Sequence, residues 1–168
     1  MVTDLARTFP LAVASGALRD EIETILFTAG LLKHFAVIIS AQDVNKGKPE
    51  PEIFLKALAR LNAQFENGPP ITAADCLVIE DSKEGIRGAR RGGMKCLAVS
   101  NSHSVELLRE ADAVVRSLEE VDLSFLEEGG EDIEQFRPGW PKVDPVTLMT
   151  TAKGVFVAGD LAHGTRLL

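Results

Sequence analysis

The feature that most constrains the fold of this chain is a repeated alternation between short apolar segments and segments of helical periodicity. Five runs of largely apolar residues have the length of buried strands, and the stretches between them carry apolar residues at helical spacing. Strands that are apolar on both faces are typical of a parallel sheet covered by helices on both sides. The sequence therefore predicts a three-layer α/β fold with a mostly parallel sheet. The predicted strands are residues 10–15, 35–40, 76–80, 96–100 and 112–117, and the predicted helical segments are residues 17–29, 51–61, 83–91 and 104–111.

Composition restricts the classes of function. The chain has 168 residues, of which 45% are hydrophobic, and its formal net charge is −7. Because no dense cluster of Lys and Arg interrupts this acidic balance, we expect no nucleic-acid partner and no membrane partner. We also expect neither a membrane-spanning segment nor a signal peptide. The two cysteines, Cys76 and Cys96, have neither CxxC spacing nor histidine companions, which predicts buried reduced thiols and a cytoplasmic protein.

Polar residues follow the predicted strands, at the edge where ligands bind in sheets of this type. Ser15 and Gly16 follow the first strand, and Glu80 and Asp81 lie at the end of the third. Two adjacent carboxylates at one strand end repel each other and lose solvation, and a bound Mg²⁺ relieves both costs. The alternative is that Asp81 caps the following helix and that Glu80 pairs with a lysine.

Other residues favour a phosphate site at the same edge. The hydroxyl of Ser15 and the backbone amides after it can hold phosphate oxygens, although a simple helix cap is the alternative. Lys48 lies in the segment KGKPEPEIF, whose prolines stiffen the backbone. A lysine held in this way can neutralise a phosphate and a nearby carboxylate, and the alternative is a lysine in solvent. His103, in the loop after the fourth strand, either touches substrate or stays in solvent.

Residues 10–126 resemble the haloacid dehalogenase-like hydrolases, and among them the phosphatase and β-phosphoglucomutase-like branch. The segments LAVASG, GKPEPEIF and VIEDSKEGIRGARRGGM are similar to the second, third and fourth motifs of that family. The resemblance implies a Rossmann-like three-layer core and a site for Mg²⁺ and a small phosphorylated metabolite. The site residues that it implies are Ser15, Gly16 and Lys48 for phosphate, Lys48 also for catalysis, and Glu80 and Asp81 for the metal ion.

The same resemblance implies a mechanism from which this sequence departs. In the family, an aspartate of a DxDGT-like motif attacks phosphorus, and a second acid two residues later protonates the leaving group and then activates water. Asp81 is the expected direct metal ligand, and Glu80 is expected to act through water. No DxD motif precedes the segment PLAVAS. We therefore expect the first, nucleophile-bearing strand and the cap domain to be missing, and the isolated chain to be inactive or weakly active.

The missing strand has consequences for the rest of the molecule. In the family it lies between the strands that end here at Ser15 and Glu80. Its absence predicts two unpaired strand edges, and a homodimer that forms through this open position. The domain division that we predict is an incomplete core at residues 1–126, a linker at 127–141 and a C-terminal arm at 142–168.

The arm carries a second resemblance. The segment KVDPVTLMTTAKGVFVAGDLAHGTRLL is similar to the end of FAD-dependent pyridine-nucleotide oxidoreductases, which implies a flavin contact for Asp160. Because the glycine-rich fingerprint is absent and the arm is short, we expect no bound FAD. An alternative is a permuted active site at Asp160, although Ala162 stands where the second acid belongs. In either case, the strand of the arm is able to fill the empty position in the sheet.

Three functions stay open on the sequence alone. The first is Mg²⁺-assisted phosphoryl transfer from a phosphate ester, as in a phosphatase or a phosphomutase. The second is a non-catalytic remnant that binds phosphate or metal. The third is a piece of a larger protein that joins a phosphatase-like domain to a flavin oxidoreductase.

Overall fold

The structure, a computed structural model, describes residues 2–65, 69–100 and 103–118, and the backbone of residues 154–157. None of the helices in these ranges is long and apolar enough to cross a membrane. The helices are α1 (Val2–Thr8), α2 (Arg19–Thr28), α3 (Glu52–Gln64) and α4 (Lys83–Arg91), and the strands are β1 (Leu11–Ala14), β2 (Val37–Ile39), β3 (Cys76–Glu80), β4 (Lys95–Val99), β5 (Ala113–Val115) and β6 (Gly154–Val157).

The described strands form one six-stranded sheet in the order β2-β1-β6-β3-β4-β5. Each of its five pairings is parallel. Parallel neighbours need crossover connections, and helices supply several of them. The α/β fold with a parallel sheet, predicted from the alternating pattern, is therefore confirmed.

Alternate residues of the strands enter two cores, one on each face of the sheet. One core contains Val13 and Ile79 together with residues of α1 and α2. The other contains Ala14 and Val78 together with residues of α3 and α4. Because both faces are buried, the strands read as continuous apolar runs, which is the reason why the sequence pattern identified them.

Two helical segments differ from the prediction. The sequence pattern predicts no helix before residue 10, but α1 is present, and its Val2 and Leu5 are buried in the first core. Residues 104–111 form only a 3₁₀ turn at Val105–Leu108, in which Leu108 is buried and Leu107 is exposed. One buried side chain gives too little packing to hold a longer helix, since short helices depend on tertiary contacts.

Cys76 and Cys96 are free and buried, as the sequence predicts. Burial is the main cause that raises the pKa of Cys76 to about 12. Burial, and after it the negative charge of Glu80, raises the pKa of the Cys96 thiol. Both side chains are therefore protonated at neutral pH and behave as small apolar groups of the second core.

The position between β1 and β3, which the sequence predicts to be empty, is occupied by β6. The backbone of β6 pairs with Leu11, Ala12 and Val13 on one side and with residues 76–79 on the other. The prediction of two unpaired edges is therefore wrong, and the alternative in which the C-terminal arm fills the position is what the structure shows. A homodimer stays a prediction, but these two edges no longer favour it.

Candidate active site

The carboxyl ends of β1 and β3 bring the predicted site residues to one edge of the sheet. Ser15 follows β1, whereas Glu80 is the last residue of β3 and Asp81 follows it. Val13 of β1 and Ile79 of β3 pair with the same residue of β6. Ser15 and Asp81, each two residues further along, therefore lie at about the same level. Two strand spacings, roughly 10 Å, separate their backbones.

Ser15 is fully buried, and backbone contacts fix its position. Its N–H donates to the carbonyl of Ile39 at 3.0 Å, and its Oγ accepts a hydrogen bond from the N–H of Ala17 at 3.2 Å. No acceptor for the Ser15 hydroxyl proton occurs among the described residues, so this proton is available to an oxygen of a bound anion. Gly16 is exposed, and the space where a Cβ would stand is open.

Lys48 reaches the acid pair from the loop before α3. Its ammonium forms an ion pair with Oε1 of Glu80; the Glu80 side chain is fully buried, and the Lys48 side chain is 14% exposed. The ammonium also lies 5.4 Å from the centre of the Phe54 ring, within the range of a cation–π interaction. Lys48 is thus held in place, and the interpretation of Glu80 as the partner of a lysine agrees with the structure.

The other carboxylate oxygen of Glu80 is held by the loop that follows β3. Oε2 accepts hydrogen bonds from the N–H groups of Asp81 and Ser82, each at 3.2 Å, and from the Ser82 hydroxyl at 2.9 Å. With an ammonium on Oε1 and three donors on Oε2, the Glu80 carboxylate has little capacity left for direct metal ligation. It acts as the fixed counter-ion of Lys48.

The first turn of α4 is built around the Glu80 carboxylate. Ser82, rather than Asp81, is the N-cap residue, because its Oγ accepts a hydrogen bond from the N–H of Gly85 at 3.0 Å. The interpretation of Asp81 as the helix cap is therefore wrong. A Cβ at Gly85 would lie 2.0 Å from Cδ of Glu80, so that glycine alone fits here without displacing the carboxylate. Neither Ser82 nor Gly85 is among the site residues predicted from the sequence, although a glycine inside a helix, where it is unfavourable, is a signal of close packing.

Asp81 is buried at the edge of the site, with 8% of its surface exposed. Its N–H donates to Glu80, and its carbonyl oxygen lies 3.0 Å from Nδ1 of His103. Mg²⁺ binds through one or two carboxylates and fills its shell with water and phosphate, which is compatible with Asp81 beside the paired Glu80. No group of three or more His, Cys, Asp or Glu that could hold a metal lies within the described ranges.

The chain matches the model of a known protein family over more than half of its length. Residues 1–99 match the model of the haloacid dehalogenase-like hydrolase family, and this range contains Ser15, Lys48 and the pair of acids. The chain belongs to the haloacid dehalogenase-like hydrolases. The match begins before residue 10, where the sequence resemblance begins, and therefore includes α1.

Relatives of this haloacid dehalogenase-like chain include phosphatases. It is 34% identical over 130 residues to the chloroplastic 5-amino-6-(5-phospho-D-ribitylamino)uracil phosphatase of Arabidopsis thaliana, a match that covers 77% of this chain and 33% of the relative. It is 37% identical over 112 residues to the validoxylamine A 7'-phosphate phosphatase of Streptomyces hygroscopicus subsp. limoneus, a match that covers 67% of this chain and 49% of the relative. The chain thus spans between a third and a half of the length of these curated relatives.

A solved structure shares the fold of this haloacid dehalogenase-like chain. The β-phosphoglucomutase of Clostridium difficile superimposes with a TM-score of 0.63 and 24% sequence identity, over 76% of this chain and 52% of that one. At this identity, the likeness supports the α/β architecture. The resemblance of residues 142–168 to flavin oxidoreductases stays a prediction, and Asp160 lies outside the described residues.

Proposed function

We propose that the chain is the phosphate-binding core of a hydrolase or mutase that acts on phosphate esters of small metabolites. The observation that carries this proposal is the ion pair of Lys48 with the buried Glu80, at the edge where Ser15 and Asp81 also lie. A cation that a buried carboxylate holds in place offers a fixed positive charge to an anionic ligand. The names of the two relatives, both phosphatases of phosphorylated small molecules, support the same class of substrate.

Three groups at this edge suit the oxygens of a phosphoryl group. The Ser15 hydroxyl has a proton to donate, and the exposed Gly16 leaves its backbone open to a close approach. The Lys48 ammonium supplies a charge-assisted hydrogen bond. Donors fixed in this way stabilise the negative charge of a transferring phosphoryl group more than mobile water does, because they need no reorganisation.

Asp81 is the residue that we expect to hold Mg²⁺, and Glu80 is expected to act on the ion through water. When bound, this ion neutralises phosphate charge and orients the ester. The protein's contribution is to hold the Asp81 main chain in place, through its N–H on Glu80 and its carbonyl beside His103. Glu80, with both oxygens engaged, keeps Lys48 at the phosphate side.

The chain contains no Asp-x-Asp motif. In the mechanism that the family resemblance implies, such an aspartate attacks phosphorus, and the loss of a nucleophile typically lowers kcat by several orders of magnitude. We therefore expect the 168-residue chain to bind phosphate together with Mg²⁺ and to hydrolyse esters weakly or not at all.

Calorimetric titration with orthophosphate, with and without Mg²⁺, tests the proposal. We expect binding that requires Mg²⁺ and that Asp81→Asn weakens by about tenfold or more, as expected for the loss of one charged ligand. Asp20→Asn, an exposed acid on α2, is the matched control and should leave binding unchanged. Binding that Asp81→Asn does not weaken would contradict the proposal.

An assay with p-nitrophenyl phosphate separates the hydrolase from the non-catalytic alternative. Release of p-nitrophenol that depends on Mg²⁺ and disappears in Asp81→Asn identifies an active enzyme. Orthophosphate binding without such release identifies a protein that keeps the site but not the reaction.

A further inference from the structure

A histidine outside the predicted set lies against the main chain of Asp81. His103 follows β4, whose carboxyl end belongs to the same edge of the parallel sheet as those of β1 and β3. Its Nδ1 lies 3.0 Å from the carbonyl oxygen of Asp81, and the residue as a whole is exposed. The ring therefore contacts Asp81 through Nδ1, in a residue that is exposed as a whole.

The contact with Asp81 determines which ring nitrogen carries the proton. A backbone carbonyl oxygen only accepts hydrogen bonds, so Nδ1 of His103 is the donor. A neutral imidazole that is protonated on Nδ1 has a lone pair on Nε2. Because the two nitrogens lie on different sides of the ring, this lone pair is directed away from the Asp81 carbonyl.

A hydrogen-bond acceptor beside a phosphate site can pair with hydroxyl groups in the organic part of a phosphate ester but not with the phosphate group itself. The nonbridging oxygens of a phosphate dianion only accept, so they do not pair with the Nε2 lone pair. A hydroxyl group of the organic part of the ester can donate to it. We propose that His103 selects polyhydroxylated phosphate esters, of the polyol or sugar phosphate class, by accepting a hydrogen bond from a ligand hydroxyl at Nε2. This inference rests on the proposed function, since it uses the phosphate site at Ser15 and Lys48.

The test compares three ligands on the full chain with Mg²⁺ at mildly alkaline pH. Ribitol 5-phosphate carries hydroxyls, pentyl phosphate has the same carbon chain without them, and orthophosphate has no organic part. His103→Asn is the informative variant, because its amide N–H replaces the Nδ1 donor while nothing replaces Nε2. We expect this variant to bind ribitol 5-phosphate about three- to tenfold more weakly, as for one lost hydrogen bond, and to bind the other two ligands unchanged.

A second measurement requires no ligand. Nitrogen-15 NMR of the imidazole reports the tautomer, and we expect the proton of neutral His103 on Nδ1. A proton on Nε2, or equal affinities of the wild type and His103→Asn for ribitol 5-phosphate, would overturn the inference.

The two proposals fail in different ways. If the wild type binds no orthophosphate, the proposed function fails, and the role of His103 fails with it. If orthophosphate binds and Asp81→Asn weakens it, but His103→Asn changes the affinity for none of the ligands, only the role of His103 is wrong.

Discussion

Glu80 is a charged residue in an environment that is unfavourable for charge. Its side chain is fully buried at the end of β3, where a carboxylate has lost its hydration. The charge is compensated by the Lys48 ammonium, by two backbone N–H groups and by the Ser82 hydroxyl. A buried charge that loses its partner costs far more than a surface charge does, because water cannot replace the partner. The stability of the fold and the charge of the candidate site therefore depend on the same contact.

Replacement of Lys48 by methionine tests this dependence. The variant Lys48→Met keeps most of the apolar stem and removes the ammonium, so that Glu80 stays buried without its counter-ion. We expect the free energy of unfolding, measured by urea denaturation, to fall by about 3 kcal/mol, and orthophosphate binding to be lost.

The matched control for this prediction is Lys56→Met. The Lys56 side chain is 41% exposed in its ion pair with Glu52, so we expect a loss below about 1 kcal/mol. The double variant Lys48→Met/Glu80→Gln should recover part of the stability, because the buried charge is gone. Equal decreases in the free energy of unfolding for Lys48→Met and Lys56→Met would contradict the proposed contribution of the buried pair to stability.

The helices and strands that the sequence predicts correctly are those whose own residues mark where they begin and end. The bounds of β3 and α4 agree with the prediction, because an apolar run defines the strand and Gly92-Gly93 ends the helix. Helical spacing gave a wrong prediction for residues 104–111, where Leu108 is the one buried side chain of the 3₁₀ turn that forms instead. The arrangement around Glu80 was only partly predictable, since the positions of Lys48 and Gly85 against its carboxylate depend on the packing of separate elements.

Gly85→Ala tests the packing of α4 on β3. In a solvent-exposed helix this change stabilises by about 1 kcal/mol, but here the new Cβ would lie 2.0 Å from Cδ of Glu80. The carboxylate would have to leave its position against Lys48. We therefore expect a net loss of roughly 2 kcal/mol in the free energy of unfolding and weaker orthophosphate binding.

A glycine in open space provides the control for this substitution. Gly47 lies next to Lys48 in the loop, and a Cβ there would have no atom within 4 Å. Gly47→Ala should therefore change the free energy of unfolding by less than about 1 kcal/mol. If Gly85→Ala stabilised the protein instead, the close approach of Glu80 to α4 would be wrong.

The centre of the sheet is formed by β6, which among the described strands is the last in the sequence. Residues 116–153 separate β6 from β5 in the sequence, yet β6 lies between β1 and β3 in the sheet. The sequence indicates that this position needs a strand and that the arm contains one. It does not establish that the two meet, because an apolar strand carries no local signal of its neighbours and pairing depends on contacts distant in the chain.

A proline in β6 tests whether this strand holds the sheet together. Val155 pairs with Leu11 on one side and with Leu77 on the other. In a central strand each N–H points to a neighbouring strand, so Val155→Pro removes a hydrogen bond of the ladder and puts the proline ring where β6 meets its neighbours. We expect the amides of β1 and β3 to exchange with deuterium roughly tenfold faster or more, because both strands lose a partner. The amides of β5, which pairs with β4 alone among the described strands, serve as the internal control and should change less. Unchanged exchange in β1 and β3 would show that their protection does not depend on residues 154–157.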